Sequence, residues 1–203
     1  MEILLKKHAT EEESASLIFM LSQALPLSKQ FIKYAAEHTF PLCLKKGKTL
    51  LKPGEICTHI FFVKSGILRC FIKDENKEIT TWITAEGEMV ASISSFIYQR
   101  TSMESIQAVE DCDLLALSYT DMEQAYLKFP HFNIIARKLY EKYYVDAENR
   151  ALIARLKNAQ KKYHHFLNFQ GHLANRVPLK YIASYIGIRL ETLSRIRAKR
   201  SFL

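Results

Sequence analysis

No stretch of this sequence stays apolar for the ~20 residues that a membrane-crossing helix needs. The opening, MEILLKKHATEEESAS, lacks the basic-then-apolar order of a secretory signal, so the expected compartment is the cytoplasm. The four cysteines, Cys43, Cys57, Cys70 and Cys112, lie far apart with no CxxC pair, which points to reduced thiols rather than a disulfide framework. There is no phosphate loop, no GxSxG, no HExxH and no placed pair of carboxylates, so an enzyme is not expected. His164, His165 and His172 lack the spacing and companion ligands of a zinc site, and neither a metal nor a cofactor is expected. Acidic residues are scarce in one place only. Residues 151–203 carry 11 Lys or Arg against the single acid Glu191, or +10, whereas residues 1–150 carry 18 basic and 20 acidic side chains, or −2. A polyanion is the natural partner of such an end, since a merely solubilising surface scatters its charges among acids.

What is present reads as a folded chain, 48% hydrophobic and 11% aromatic. Residues 14–38 look helical, with Leu17, Phe19, Met20 and Leu21 followed by Leu27, Phe31, Ile32 and Ala35. From Leu42 to Ser118 short β-rich pieces, among them HIFFV, GILRCFIK, EITTWIT, ESIQAV and DLLALS, alternate with the turn signals KKGK, KPGE, KSG, KDENKE and AEGE. In ILRCFIK, Leu68, Cys70 and Ile72 fall on one face, opposite Arg69, Phe71 and Lys73. Turns about every ten residues and few helices predict a small antiparallel barrel or sandwich. Between Pro130 and Gly171 neither glycine nor proline occurs, and HFNIIARKLYEKYYVDAENRALIARLKN predicts one long helix. On it Val145, Asn149, Leu152 and Leu156 form a stripe, which pairs two helices with Asn149 setting the register or packs on the chain's own β domain.

The segment YIASYIGIRLETLSRIR is the most specific. Ile182, Ala183 and Ile186 share one helix face, Gly187 can take the left-handed conformation that ends a helix sharply, and Ile188 plugs the corner. Leu193 and Ile196 then form the buried face of a second helix. Two helices crossing steeply around so small a core are the helix-turn-helix pattern. The second helix leaves Arg189, Glu191, Thr192 and Arg195 outward, where arginine can bond guanine and glutamate can accept from cytosine in a major groove. Arg176, Lys180, Arg197, Lys199 and Arg200 are candidates for phosphate contacts around it.

The order β-roll, long helix, helix-turn-helix resembles the cyclic AMP receptor protein/FNR (Crp/Fnr) family of bacterial transcription regulators over nearly the whole chain. LLKPGE, FFVKSGILRCF and AEGE resemble the family's glycine-marked barrel turns at Gly54, Gly66 and Gly87, and IGIRLETLSRI resembles its recognition motif. The resemblance carries DNA contact to Glu191, Thr192 and Arg195; Leu190 replaces the family's first arginine, with Arg189 beside it. It implies an α+β fold. Residues 1–130 would be a cyclic-nucleotide-binding-like β-roll (a jelly roll with flanking helices), 131–157 a long dimerisation helix, and 158–203 a helix-turn-helix, winged-helix-like domain. The expected partners are double-stranded DNA, a second copy of the chain, RNA polymerase and a small-molecule effector of unknown identity, with no membrane partner.

The family's cyclic-nucleotide sensors use a Gly-Glu pair and an Arg-Ser/Thr-Ala run. Gly87 and Glu88 are kept, but the second run aligns to Ser102, Met103 and Glu104, putting a carboxylate where a cyclic phosphate needs a cation. The family's Thr-Ser pair on the long helix aligns to Ala147 and Glu148. Cyclic nucleotide is therefore disfavoured. No cysteine cluster precedes Cys43 for an iron–sulfur centre, and His59 is the only barrel histidine available to a haem. The barrel then holds an unidentified molecule among Phe96, Tyr98 and Met103, or none. A homodimeric regulator reading a near-palindromic operator is the leading expectation; the alternative is a ligand-sensing β-roll whose helical tail contacts protein rather than DNA.

Overall fold

The structure, a computed structural model, describes residues 7–200. Two helices open it, α1 (Glu11–Ser22) and α2 (Lys29–His38). The expected single run over 14–38 is therefore two helices. Pro26 lacks the N–H that a helix interior requires, and the Ser28 hydroxyl restarts the next helix by accepting from the Phe31 amide at 3.1 Å. A reciprocal cap fixes the start of α1: Thr10 Oγ1 accepts from the Glu13 amide at 3.1 Å, and Glu13 Oε2 accepts from the Thr10 amide at 2.7 Å.

The strands are β1 (Thr39–Leu44), β2 (Thr49–Leu51), β3 (His59–Ser65), β4 (Leu68–Asp74), β5 (Lys77–Thr84), β6 (Met89–Val90), β7 (Ser105–Ala108) and β8 (Cys112–Ser118), with the short helix α3 (Ile93–Tyr98) between β6 and β7. They form two antiparallel four-stranded sheets, ordered β1-β8-β3-β6 and β2-β7-β4-β5. Non-consecutive neighbours in both sheets make this a jelly roll, in which β5 alone of the edge strands joins its neighbour as a simple hairpin. Phe62, Val63, Leu68, Ile106, Leu114 and Leu115 are buried between the sheets. Each fully buried side chain of this size contributes about 1.5–3 kcal/mol. The turn from β3 to β4 depends on Gly66, whose φ is +92° and where a Cβ would stand 2.3 Å from the Asp111 carbonyl oxygen.

After α4 (Tyr119–Lys128), the 26-residue α5 (Pro130–Arg155) runs without a break, with proline at its first turn as expected. The Tyr143 hydroxyl accepts from the Met89 amide at 2.7 Å and ties α5 to the roll. Then come α6 (Ala159–Gln170), a 3-10 turn (Gly171–Leu173), α7 (Leu179–Tyr185) and α8 (Leu190–Arg200). Among the described residues, none between 156 and 200 lies in a strand.

This unit does not hang free of the roll. Ile67, Ile83, Ala85 and Val109 from the roll join Phe166, Leu173, Val177, Ile182, Ile186 and Leu193 in one buried cluster. Both faces of β4 are covered for this reason. Arg69 and Phe71, on the face opposite Leu68 and Cys70, are themselves buried, with Tyr181 of α7 lying on Arg69.

Replacing Gly66 by alanine should destabilise the protein by roughly 2 kcal/mol or more, since the added methyl meets backbone and the backbone conformation is strained as well. Gly47→Ala, where φ is +79° and no atom lies within 4 Å, should cost about 1 kcal/mol. Urea denaturation of the two variants tests the difference.

Candidate nucleic-acid interface and ligand cavity

The helix-turn-helix corner is built by backbone chemistry. Gly187, at φ +64°, follows α7 in the left-handed conformation. The Gly187 amide donates to the Ser184 carbonyl at 3.2 Å and the Ile188 amide to the Ala183 carbonyl at 3.0 Å, which is the Schellman closure. Ile182, Ala183, Ile186 and Leu193 are buried, and Ile188 and Ile196 pack partly buried against them, as the spacing predicts. Lys162 is buried and holds the corner from behind. Its Nζ donates to the Ala154 carbonyl at 3.3 Å, near the end of α5, and to the Gly187 carbonyl at 3.4 Å.

On α8, Glu191, Arg195 and Lys199 are exposed and recur every four residues, so they share one face opposite Leu193. Arg189 is exposed just before the helix, Leu190 is exposed at its first position, and Thr192 is half-buried. Lys180 is exposed on α7, with Nζ 4.9 Å from the Tyr181 ring. Arg200 ends α8, and its side chain lies outside the described residues.

Two cations expected at phosphates are engaged elsewhere. Arg176 donates to both oxygens of Glu86, at 2.9 and 2.6 Å, and to both oxygens of Glu110, at 3.2 and 2.6 Å. It is a fork between two carboxylates of the roll. Arg197 donates to the Ala174 carbonyl at 2.8 Å and to Asn175 Oδ1 at 2.9 Å, knitting α8 to the 3-10 turn.

The same side of the unit meets the edge strand β5. The Thr80 amide donates to Ser184 Oγ at 2.9 Å, and that hydroxyl donates to the Glu78 carbonyl at 3.0 Å. Arg69, 2% exposed, has its guanidinium 4.1 Å from the Phe71 ring and 3.7 Å from the Tyr181 ring; it donates to Gln107 Oε1 and pairs with Glu78. Sequence reading missed this contact. The one available signal was an arginine in an otherwise apolar strand.

A cavity of about 1190 Å³ lies between the roll and helices α1, α2 and α5. Leu17, Phe31, Trp82, Met89 and Tyr143 give it apolar walls, and Thr81, Glu104 and Arg150 are among its few polar groups. Of the effector residues expected from sequence, Glu104 alone lines it. Phe96 is buried in the core, edge-on to Tyr119 at 5.6 Å. Tyr98 (69% exposed) and Met103 (82% exposed) stand on the outer surface, because α3 turns Tyr98 outward and Met103 sits in the loop before β7. Gly87 is in the β5–β6 turn at φ +79°. Glu88 accepts from the Ala85 amide at 3.1 Å and approaches Lys142 to 3.8 Å, with its carboxyl pushed up by burial.

On α5, Val145 and Leu152 are exposed and Asn149 half-buried, and Leu156, half-buried, falls just past its end; Tyr140 and Tyr144, which sequence reading left out, are exposed and line the cavity.

Residues 41–129 match the family described as the cyclic nucleotide-binding domain. The transcriptional activator protein FnrA of Stutzerimonas stutzeri is 26% identical over 75% of this chain and 67% of its own. Among solved structures, FixK2 from Bradyrhizobium japonicum is similar with a TM-score of 0.68 at 17% identity, covering 79% of this chain and 83% of that one. The c-di-GMP responsive global regulator CLP of Xanthomonas campestris gives 0.65 at 15% identity, covering 86% and 92%. Fold and sequence thus define a cyclic-nucleotide-binding-type β-roll joined by a long helix to a helix-turn-helix. Residues 41–129 carry a cyclic nucleotide-binding domain, and the chain as a whole is similar to transcription regulators of the Crp/Fnr type.

The Glu86–Arg176 contact carries a pH dependence. Hydrogen bonds from Arg176 hold the Glu86 carboxyl down at about 2, against an ordinary 4.5. A carboxyl depressed in the folded state stabilises above its unfolded pKa and loses that contribution as pH falls through the folded one. Glu86→Gln should therefore be less stable than the parent near neutrality. The gap should close as pH drops from about 4.5 to about 2, as read by denaturant melts across that range.

Proposed function

We propose that the protein is a homodimeric transcription regulator that binds near-palindromic operator DNA through α7 and α8, with RNA polymerase as a further partner and the cytoplasm as its compartment. One observation carries the reading. Glu191, Arg195 and Lys199 lie on a single exposed face of α8 while Leu193 is buried behind it, with the helix aimed by a glycine corner. An exposed carboxylate between cations adds nothing to phosphate binding, but it can accept from cytosine N4 in a major groove. The relatives named as transcriptional activators support the same reading.

Dimerisation accounts for the apolar surface of α5. Val145 and Leu152 are exposed on a helix whose opposite side is anchored to the roll, and such a stripe is buried by pairing with its copy. A pair of heads would then address half-sites one helical turn, about 34 Å, apart. The roll senses an unidentified effector other than a cyclic nucleotide, or none, since the run that would hold a cyclic phosphate aligns to Ser102, Met103 and Glu104 and supplies no cation.

Binding to random duplex DNA should weaken at least about tenfold between about 50 and about 200 mM salt, because cations meeting phosphates release counterions. A flat response would favour a tail that contacts protein. Arg195→Ala should cost about 1–3 kcal/mol on selected sites and much less on random duplex, whereas Lys199→Ala should weaken both alike. Electrophoretic mobility or anisotropy titrations on both substrates measure this. Val145→Asp or Leu152→Asp should give monomers by light scattering, since either buries a charge in the helix seam.

A further inference from the structure

The cavity under α5 is lined by one cation, Arg150, that no carboxylate among the described residues pairs with in an ion pair. Its volume of about 1190 Å³ is far above the voids of a close-packed interior and in the range of ligand sites. Glu104 is already served: it accepts from Thr81 Oγ1 at 2.8 Å and from Ser92 Oγ at 3.1 Å, one hydroxyl on each oxygen. Arg150 is served less fully. Its guanidinium lies 3.4 Å from the centroid of the Trp82 ring, and among the described residues no carboxylate is within ion-pair distance of it. Asp146, one turn earlier on α5, acts on it only at longer range, and the Tyr185 hydroxyl of α7 accepts a hydrogen bond from it. A half-buried guanidinium with five N–H donors, facing an apolar cavity without a carboxylate partner, is a place where an anionic group gains a charge-assisted contact.

We propose that this cavity binds an amphipathic monoanion, its apolar body among Leu17, Phe31, Met89 and Tyr143 and its single carboxylate-like head on Arg150. The assignment rests on the sensing role given to the roll above and names the chemical class sensed. A cyclic nucleotide fits the same walls poorly, since its sugar and base would face mostly apolar surface. Arg150 also gives the site a direct route to the reading head. An anion that draws the guanidinium toward the cavity changes its contact with Tyr185 on α7.

Trp82 is the only tryptophan and lines the cavity, so its fluorescence reports occupancy. The full chain, without DNA, is titrated with dodecanoate below its micellar range, and separately with dodecan-1-ol and with cyclic AMP. Dodecanoate should saturate the Trp82 signal with an affinity roughly tenfold or more above that of the alcohol, as expected for a charge-assisted contact. Cyclic AMP should give no change. Arg150→Gln should abolish the preference for acid over alcohol, and Arg150→Lys, which keeps the charge, should retain part of it. Equal affinities for acid and alcohol, a preference that survives Arg150→Gln, or no uptake of either probe would overturn the assignment; in the last case protein side chains, from this chain or a second copy, fill the space. Because DNA is absent, each of these failures leaves the DNA-binding reading standing.

Discussion

The structure depends on how one sheet edge is covered. β5 ends its sheet, and an uncovered edge strand offers a row of unpaired amides and carbonyls to any neighbour. Here α7 lies along it. The Ser184 hydroxyl serves the Thr80 amide and the Glu78 carbonyl together. Tyr181 lies on Arg69, a guanidinium so fully buried that it would be costly without the flat ring on either side and the pair with Glu78. Around these polar contacts Ile67, Ile83 and Val109 share a core with Phe166, Ile182 and Ile186. The roll and the helix-turn-helix therefore do not each close a separate core.

The basic charge of the C-terminal quarter divides by task. Lys162 and Arg197 satisfy carbonyls inside the unit, and Arg176 is held between two glutamates of the roll. These three make the head rigid and dock it. Arg189, Arg195, Lys199 and Lys180 remain exposed around α8 and α7. Net charge alone does not separate the two groups; burial and hydrogen bonding do.

Much of this was legible in the residues. Glycine-marked turns bounded the strands closely, an uninterrupted run without glycine or proline gave the long helix, and the interval from Ala183 through Gly187 to Leu193 gave the corner. These are local signals, set by what each backbone can adopt. What stayed hidden is long-range. Alternation along β4 indicates which side chains share a face, yet only the fold shows that α7, over a hundred residues later, covers the second face and buries Arg69 and Phe71. Arg176 could not be told from a phosphate-binding arginine, because Glu86 and Glu110 meet it only through the docking. The cavity stayed hidden for a similar reason. Tyr98 and Met103 lie near Glu104 in sequence but stand on the outer surface, whereas the cavity's walls come from α1, α2, β5 and α5, which no local stretch reports.

Lys162 has a consequence of its own. One buried ammonium grips the Ala154 carbonyl near the close of α5 and the Gly187 carbonyl at the corner before α8. With the head pinned at that point and seated along β5, little slack is left between it and the roll. A push delivered to α7 would then swing the head as one body, like the arm of a compass turning about its pivot.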